Sequence, residues 1–263
     1  HPSAMLIAED SSDYPNVTKP VPYGGLGFDY KWDLGWMNDT LKYYKMDHEY
    51  RKYHHNMLTF SMAYFYSERF LLPLSHDEVV HSKGTVIDKM FGTYEEKFHL
   101  CRNLFVYMFT HPGKKLNFMG NEIAMFREFD EKKEMDWFML KYPLHDSFAR
   151  FFRDMCLIYK NHEAFYKYDY DYRYFKWIDA DNNAQSIYSY IRYDDKMCYV
   201  VVLNMMPIAY ENYVIGVPYS GTYTEIMNSE KDIYSGCNMC NFEPVKAVKK
   251  PKHNLDYSMK IRI

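Results

Sequence analysis

The sequence predicts an α/β unit with a parallel sheet, followed by an all-β unit. Three observations carry this reading. Short apolar runs near residues 5, 28, 70 and 116 each end in polar or ionisable residues. Helix-period segments follow at least three of these four runs, and repeated crossovers imply parallel pairing. After about residue 172 the texture becomes short alternating or β-branched runs separated by turn signals. Four strand units are half of a (β/α)8 barrel, which takes about 250 residues by itself. The expected organisation is therefore a partial barrel over 1–172 and a β-sandwich over 173–263.

Met5-Leu6-Ile7-Ala8 reads as the first strand, ending in Glu9-Asp10, and a loop with Pro15, Pro20, Pro22 and Gly24-Gly25 follows. Phe28 to Trp32 reads as the second strand. Trp36 to Tyr44 reads as a helix with Asn38 and Asp39 near its start. Leu58, Met62 and Phe65 recur at helical spacing, before the strand at 70–74. Leu100, Leu104, Tyr107 and Met108 mark the next helix, which Pro112-Gly113 ends. Leu116 to Met119 is a further buried strand, closing at Gly120-Asn121-Glu122. Phe148, Phe151, Phe152, Met155 and Tyr159 then line one helix face. In the second unit, runs at 174–178, 186–192, 199–203 and 210–214 read as strands.

Hydrophobic residues make up 48% of the 263 positions, enough for a substantial core, and the net charge of −3 offers no field for nucleic acid or an anionic membrane. No apolar run approaches the roughly 18 residues that span a bilayer. Five scattered cysteines suit reduced thiols in the cytoplasm better than a disulfide framework. Cys237-Asn238-Met239-Cys240 is a lone CxxC without the second pair that a zinc site requires, so neither a metal nor a cofactor is expected. The 28 Tyr, 18 Phe and 4 Trp are unusually many, and amphipathic rings are good platforms for sugars.

The run Phe70 to Leu74 delivers His76, Asp77 and Glu78 at its C-terminal end, where a parallel β/α protein builds its active site. Burying such charges is costly unless something pairs or uses them, which favours function. A helix N-terminus capped by Ser75 or Asp77 is the plainer reading.

The stretches Ala8-Glu9-Asp10-Ser11-Ser12, Gly24 to Trp32, Gly35 to Leu41, Tyr50 to Asn56, Leu72 to His81, His111 to Leu116, Phe118 to Glu122, Arg127-Glu128 and Asp136-Trp137 resemble the C-terminal half of bacterial 1,4-α-glucan branching enzymes, in the α-amylase superfamily. Tyr142 to His145 and Trp177 to Ala180 extend the likeness, which weakens after about residue 228. The resemblance implies a retaining transfer: an α-1,4 bond is cleaved, the glycosyl group is held covalently, and it passes to a 6-hydroxyl of another chain. By it, Glu9 is the general acid/base, Asp77 the transition-state stabiliser and His76 a substrate hydrogen-bond donor. Tyr30, Trp32, Trp36, His81 and Glu122 are candidate substrate contacts. Glu78 and Glu122 would also order loops, and His54 and His55 would be structural.

Such chemistry needs a nucleophilic carboxylate roughly 5 Å from the acid. The family's Gly-Phe-Arg-x-Asp-type motif is absent from these residues, and Asp10, adjacent to Glu9 on a strand, faces the other way. The sequence therefore leads us to expect a chain that starts at about the fifth barrel strand, is inert in isolation, and either pairs with a second copy through its open sheet edge or is poorly soluble. It also departs from relatives at Ser82-Lys83-Gly84, and a final apolar strand is expected beyond Ile263. An α-glucan hydrolase of the same superfamily and a non-catalytic glucan-binding fragment are the alternative readings.

Overall fold

The structure is a computed structural model and describes residues 3–263. Four parallel strands, β1 (Ile7–Ala8), β2 (Tyr30–Trp32), β3 (Phe70–Leu74) and β4 (Lys114–Asn117), form one sheet in sequential order. The registers Ala8–Lys31, Trp32–Leu71 and Leu74–Asn117 set all four C-terminal ends on one side. β1 is shorter than expected. β4 begins two residues earlier, because its backbone pairs from Lys114 onward and its lysines find partners below the sheet.

Helix α1 (Leu34–Lys45) starts before the sequence reading placed it. Asp33, not Asn38 or Asp39, is the N-cap, its Oδ1 accepting from the Trp36 amide at 2.8 Å and from the Tyr64 hydroxyl at 2.7 Å. The helix expected around Leu58 to Phe65 is broken into short turns, α3 (Ser61–Tyr64) among them, after α2 (His48–Arg51). α4 (Tyr94–Thr110) opens on a Thr93/Glu96 capping box. α5 (Pro143–Asn161) has proline in its first turn and packs Phe148 and Phe152 against Phe105 of α4. Phe70, Leu72 and Leu74 of β3 point into the same core as these helices.

Asp33 is 1% exposed and its Oδ2 has no partner. Burial pushes its pKa up to about 6 against the two hydrogen bonds that favour the anion. The folded state then holds this proton more tightly than the unfolded chain. That contribution is complete below pH ~4 and is lost as the pH rises through about 6, roughly 3 kcal/mol in all. Asp33→Asn keeps the cap acceptor and removes the titration. Denaturant melts between pH 4 and 6.5 are expected to lose the wild-type downward slope, and an unchanged slope would contradict the assignment.

The second unit opens with the antiparallel sheet β5 (Phe175–Asp179), β6 (Ile187–Tyr193) and β7 (Cys198–Asn204). β8 (Tyr213–Val217) pairs with β11 (Tyr257–Ile261), and β9 (Gly221–Tyr223) with β10 (Val245–Ala247). The last three strands were not anticipated. β6 is buried on both faces. Ile187 and Ile191 meet Tyr213, Ile215 and Met259 in a core between the sheets. Tyr188, Tyr190 and Arg192 face the helices of the first unit, donating to His55 O at 2.7 Å, meeting Thr110 Oγ1 at 2.6 Å and donating to Thr110 O at 2.7 Å respectively.

Candidate active site

Glu9, Trp32, the His76–Asp77 pair and Glu122 all follow from the C-terminal ends of the four parallel strands. After β3 the chain turns into a short 3-10 helix, His76–Val79. Ser75 caps it by accepting the Asp77 amide at 3.3 Å, so the plainer reading of this motif is realised as well. His76 Nε2 lies 3.3 Å from Asp77 Oδ1, and the His76 ring centre lies 5.9 Å from that of Phe118.

The expectation that these charges are buried is corrected. The His76 and Asp77 side chains are 52% and 43% exposed, and Glu9 is exposed too. Glu78 is the covered member of the trio and faces Lys83 Nζ at 3.7 Å. Glu9 borders a cavity of about 440 Å³ shared with Ile7, Ser12, Tyr14, Val17 and Phe28. A cavity of about 1030 Å³ runs along β7, and none of the predicted site residues lines it.

Asp10 pairs with Lys31 Nζ at 3.0 Å and accepts from the Ser12 amide, which together hold its carboxyl down to about 2. It is thus tied to the β1–β2 junction, and Lys31 and Asp33 are structural rather than site residues.

Two aromatic candidates leave the site. Trp36 is 1% exposed, in α1, with its ring 6.0 Å from Tyr107 and 6.2 Å from His111, so neither face can meet a sugar. Tyr30 opens β2 at the opposite end of the sheet, between Arg69 at 5.0 Å and Tyr170 at 6.0 Å. Trp32 is half-buried and ends β2 at its C-terminal side. Glu122 turns back on its own loop, accepting the Gly120 amide at 2.7 Å, as a loop-ordering residue does. His55 stacks on Tyr188 at 3.9 Å and binds Ala180 O, a structural role. His81 is exposed, on the loop that follows the His76–Val79 helix.

The sequence assigns Glu128 no role. The structure shows it accepting the Ser82 and Gly84 amides of the His81 loop, a contact between distant loops that no local sequence signal marks. Among the described residues no group of three or more His, Cys, Asp or Glu side chains could hold a metal. Among the described residues no helix is long and apolar enough to cross a membrane.

A parallel sheet with carboxylates beyond its C-terminal ends is thus followed by an all-β unit. Residues 177–263 match the family described as the alpha amylase C-terminal all-beta domain. The whole chain superposes on part of a cyclomaltodextrinase with a TM-score of 0.65 at 17% identity, covering 100% of this chain and 39% of that one. An alpha-amylase from H.orenii gives 0.58 at 14% identity, over 98% of this chain and 51% of that one. The sequence itself is more particular. It is 46% identical over 261 residues to the 1,4-alpha-glucan branching enzyme GlgB of Bacillus cereus (strain Q1), covering 98% of this chain and 40% of that protein. It is 47% identical over 262 residues to GlgB 1 of Clostridium perfringens (strain SM101 / Type A), covering 98% of this chain and 39% of that protein. The chain is homologous to the C-terminal part of these bacterial branching enzymes and spans about 40% of their length.

Proposed function

We propose that residues 1–172 are the last four strand units of a catalytic (β/α)8 barrel and residues 173–263 its all-β companion, in a cytoplasmic 1,4-α-glucan branching enzyme. The observation that carries this reading is the position of Glu9 after β1 and of the His76–Asp77 pair after β3, at the same end of one parallel sheet, in a chain 46% identical to branching enzymes. In the proposed reaction Glu9 protonates the departing glucan oxygen and later deprotonates the acceptor 6-hydroxyl. Asp77 stabilises the oxocarbenium-like transition state, and His76 donates to a sugar hydroxyl. Trp32 offers a stacking face, and His81 and Glu122 border the glucan path. The substrate is an α-glucan of the glycogen or amylose type. No cofactor takes part.

Double displacement also needs the nucleophile, which is not among these 263 residues and has to come from elsewhere in the enzyme. The intact protein is expected to introduce α-1,6 linkages into amylose, read by debranching and chain-length analysis. Release of reducing sugar without new linkages would favour the hydrolase reading, and binding without turnover the non-catalytic one. A purified polypeptide of residues 1–263 is expected to be inert. It is also expected to pair through the free edge of β1, where Met5, Leu6 and Ile7 are 62%, 55% and 40% exposed. Branching at a normal enzyme's rate, or a monodisperse monomer in light scattering, would count against the respective claim.

A further inference from the structure

The loop that carries His81 folds through a turn that its own residues disfavour. Val80 O accepts the Lys83 amide at 3.2 Å, and the two central residues, His81 and Ser82, have φ of 59° and 61°. Positive φ at both central positions is the type I′ pattern, which glycine and asparagine adopt readily and side chains such as His and Ser rarely do. Gly84 follows at φ 75°. Conformations of this kind persist when the surroundings impose them.

Here the surroundings are a carboxylate from the next βα loop. Glu128 Oε2 accepts the Ser82 amide at 3.0 Å and Oε1 accepts the Gly84 amide at 2.7 Å. The two loops are also joined at their bases, where the Phe129 amide donates to Val79 O at 2.8 Å. Lys89 Nζ closes the far side by donating to Glu78 O and to Gly84 O. The turn amides hold Glu128 below the usual carboxylate range, so it stays an anion and an acceptor at neutral pH.

We propose that Glu128 is a positioning residue for glucan binding: it clamps the Val80–Gly84 turn after β3 so that His81 is presented to the substrate on the same loop as Asp77. This rests on the branching reading. His81 touches the glucan, and Glu128 acts through it.

The test is a mutant cycle in the intact enzyme, with amylose as substrate. Glu128→Ala is expected to lower kcat/KM by about 10- to 100-fold, mainly through KM. His81→Ala is expected to do the same. In the His81→Ala background, Glu128→Ala should add less than about threefold, since the group it positions is gone. Ser82→Gly, which relaxes one of the disfavoured positions, should leave the parent near wild type and restore most of the activity lost in Glu128→Ala. A purely structural role would give losses that multiply in the double variant and no recovery with Ser82→Gly, and either result overturns the proposal. Glu128→Gln, which retains one acceptor, should fall between wild type and Glu128→Ala.

Hydrogen exchange separates this from failure of the functional reading. The segment spanning 80–85 should be protected in wild type and exchange at least about tenfold faster in Glu128→Ala. Equal exchange in the two overturns the clamp whether or not the enzyme branches. Absence of α-1,6 products from wild type would instead sink the branching reading.

Discussion

Replacing Glu9 by glutamine in the intact enzyme is expected to lower kcat by about 10³-fold or more while leaving the affinity for amylose within about threefold. Glu9 is exposed at the end of β1 and is not among the groups that hold the sheet together, so an isosteric neutral amide should not disturb the fold. What it removes is the proton given to the departing glucan oxygen. The defect should therefore depend on the leaving group. An α-glucosyl or α-maltosyl fluoride departs without protonation, so the glycosylation step of Glu9→Gln should be largely recovered, seen as a burst of fluoride. Asp77→Asn should show no such recovery, because the charge it supplies acts on the oxocarbenium-like centre whatever leaves. If Glu9→Gln loses binding along with turnover, or gains nothing from the fluoride, Glu9 organises the site rather than acting as its acid.

The contrast between Trp32 and Trp36 shows how far the sequence could be read. Both stand in one aromatic stretch, and both are reasonable sugar platforms by residue type. Only the phase of α1 separates them. Once Asp33 is the cap, Trp36, Thr40, Tyr43 and Tyr44 fall at i, i+4, i+7 and i+8, one buried stripe. All four residues lie inside the helix read over Trp36 to Tyr44, but residue type alone does not say whether such a face meets the core or a sugar; the cap is an aspartate three residues before the amide it accepts. The His76–Asp77 motif was legible because an apolar run ending in charges is a local signal. Its exposure was not, since solvent access depends on what stands across the sheet. β9 and β10 are three residues each, too short for a clear alternation, and β11 is defined by its pairing with β8, which is distant in the chain.

The other large effect concerns the seam between the two units. Asp169→Ala is expected to cost about 3–5 kcal/mol, a large share of the 5–15 kcal/mol typical of a whole domain. Asp169 is fully covered and receives Lys114 Nζ at 3.0 Å and Arg192 Nη2 at 2.9 Å, so one carboxylate ties β4 to β6. Arg192 also donates to Thr110 O at 2.7 Å, and its Nε already lacks a partner. Removing Asp169 leaves a covered guanidinium with one acceptor, and the stranded charge accounts for most of the cost. Burial raises the Asp169 pKa, but Lys115, Arg192 and Lys114 more than offset this, and the net shift is downward. The stability it contributes is thus present above pH ~4 and lost as the pH falls through the lowered folded value. Lys115 responds in the opposite sense. Desolvation already pushes its ammonium down to about 7, with Asp169 opposing, so the substitution should leave Lys115 neutral at pH 7. Replacing both partners, Asp169→Leu with Arg192→Met, should cost less than the sum of the single changes, because no charge is left unpaired. Urea melts of the intact protein measure all three. A loss below about 1 kcal/mol for Asp169→Ala, or strict additivity in the pair, would mean that apolar contacts around Tyr188 and Tyr190 hold the seam without the ion pair.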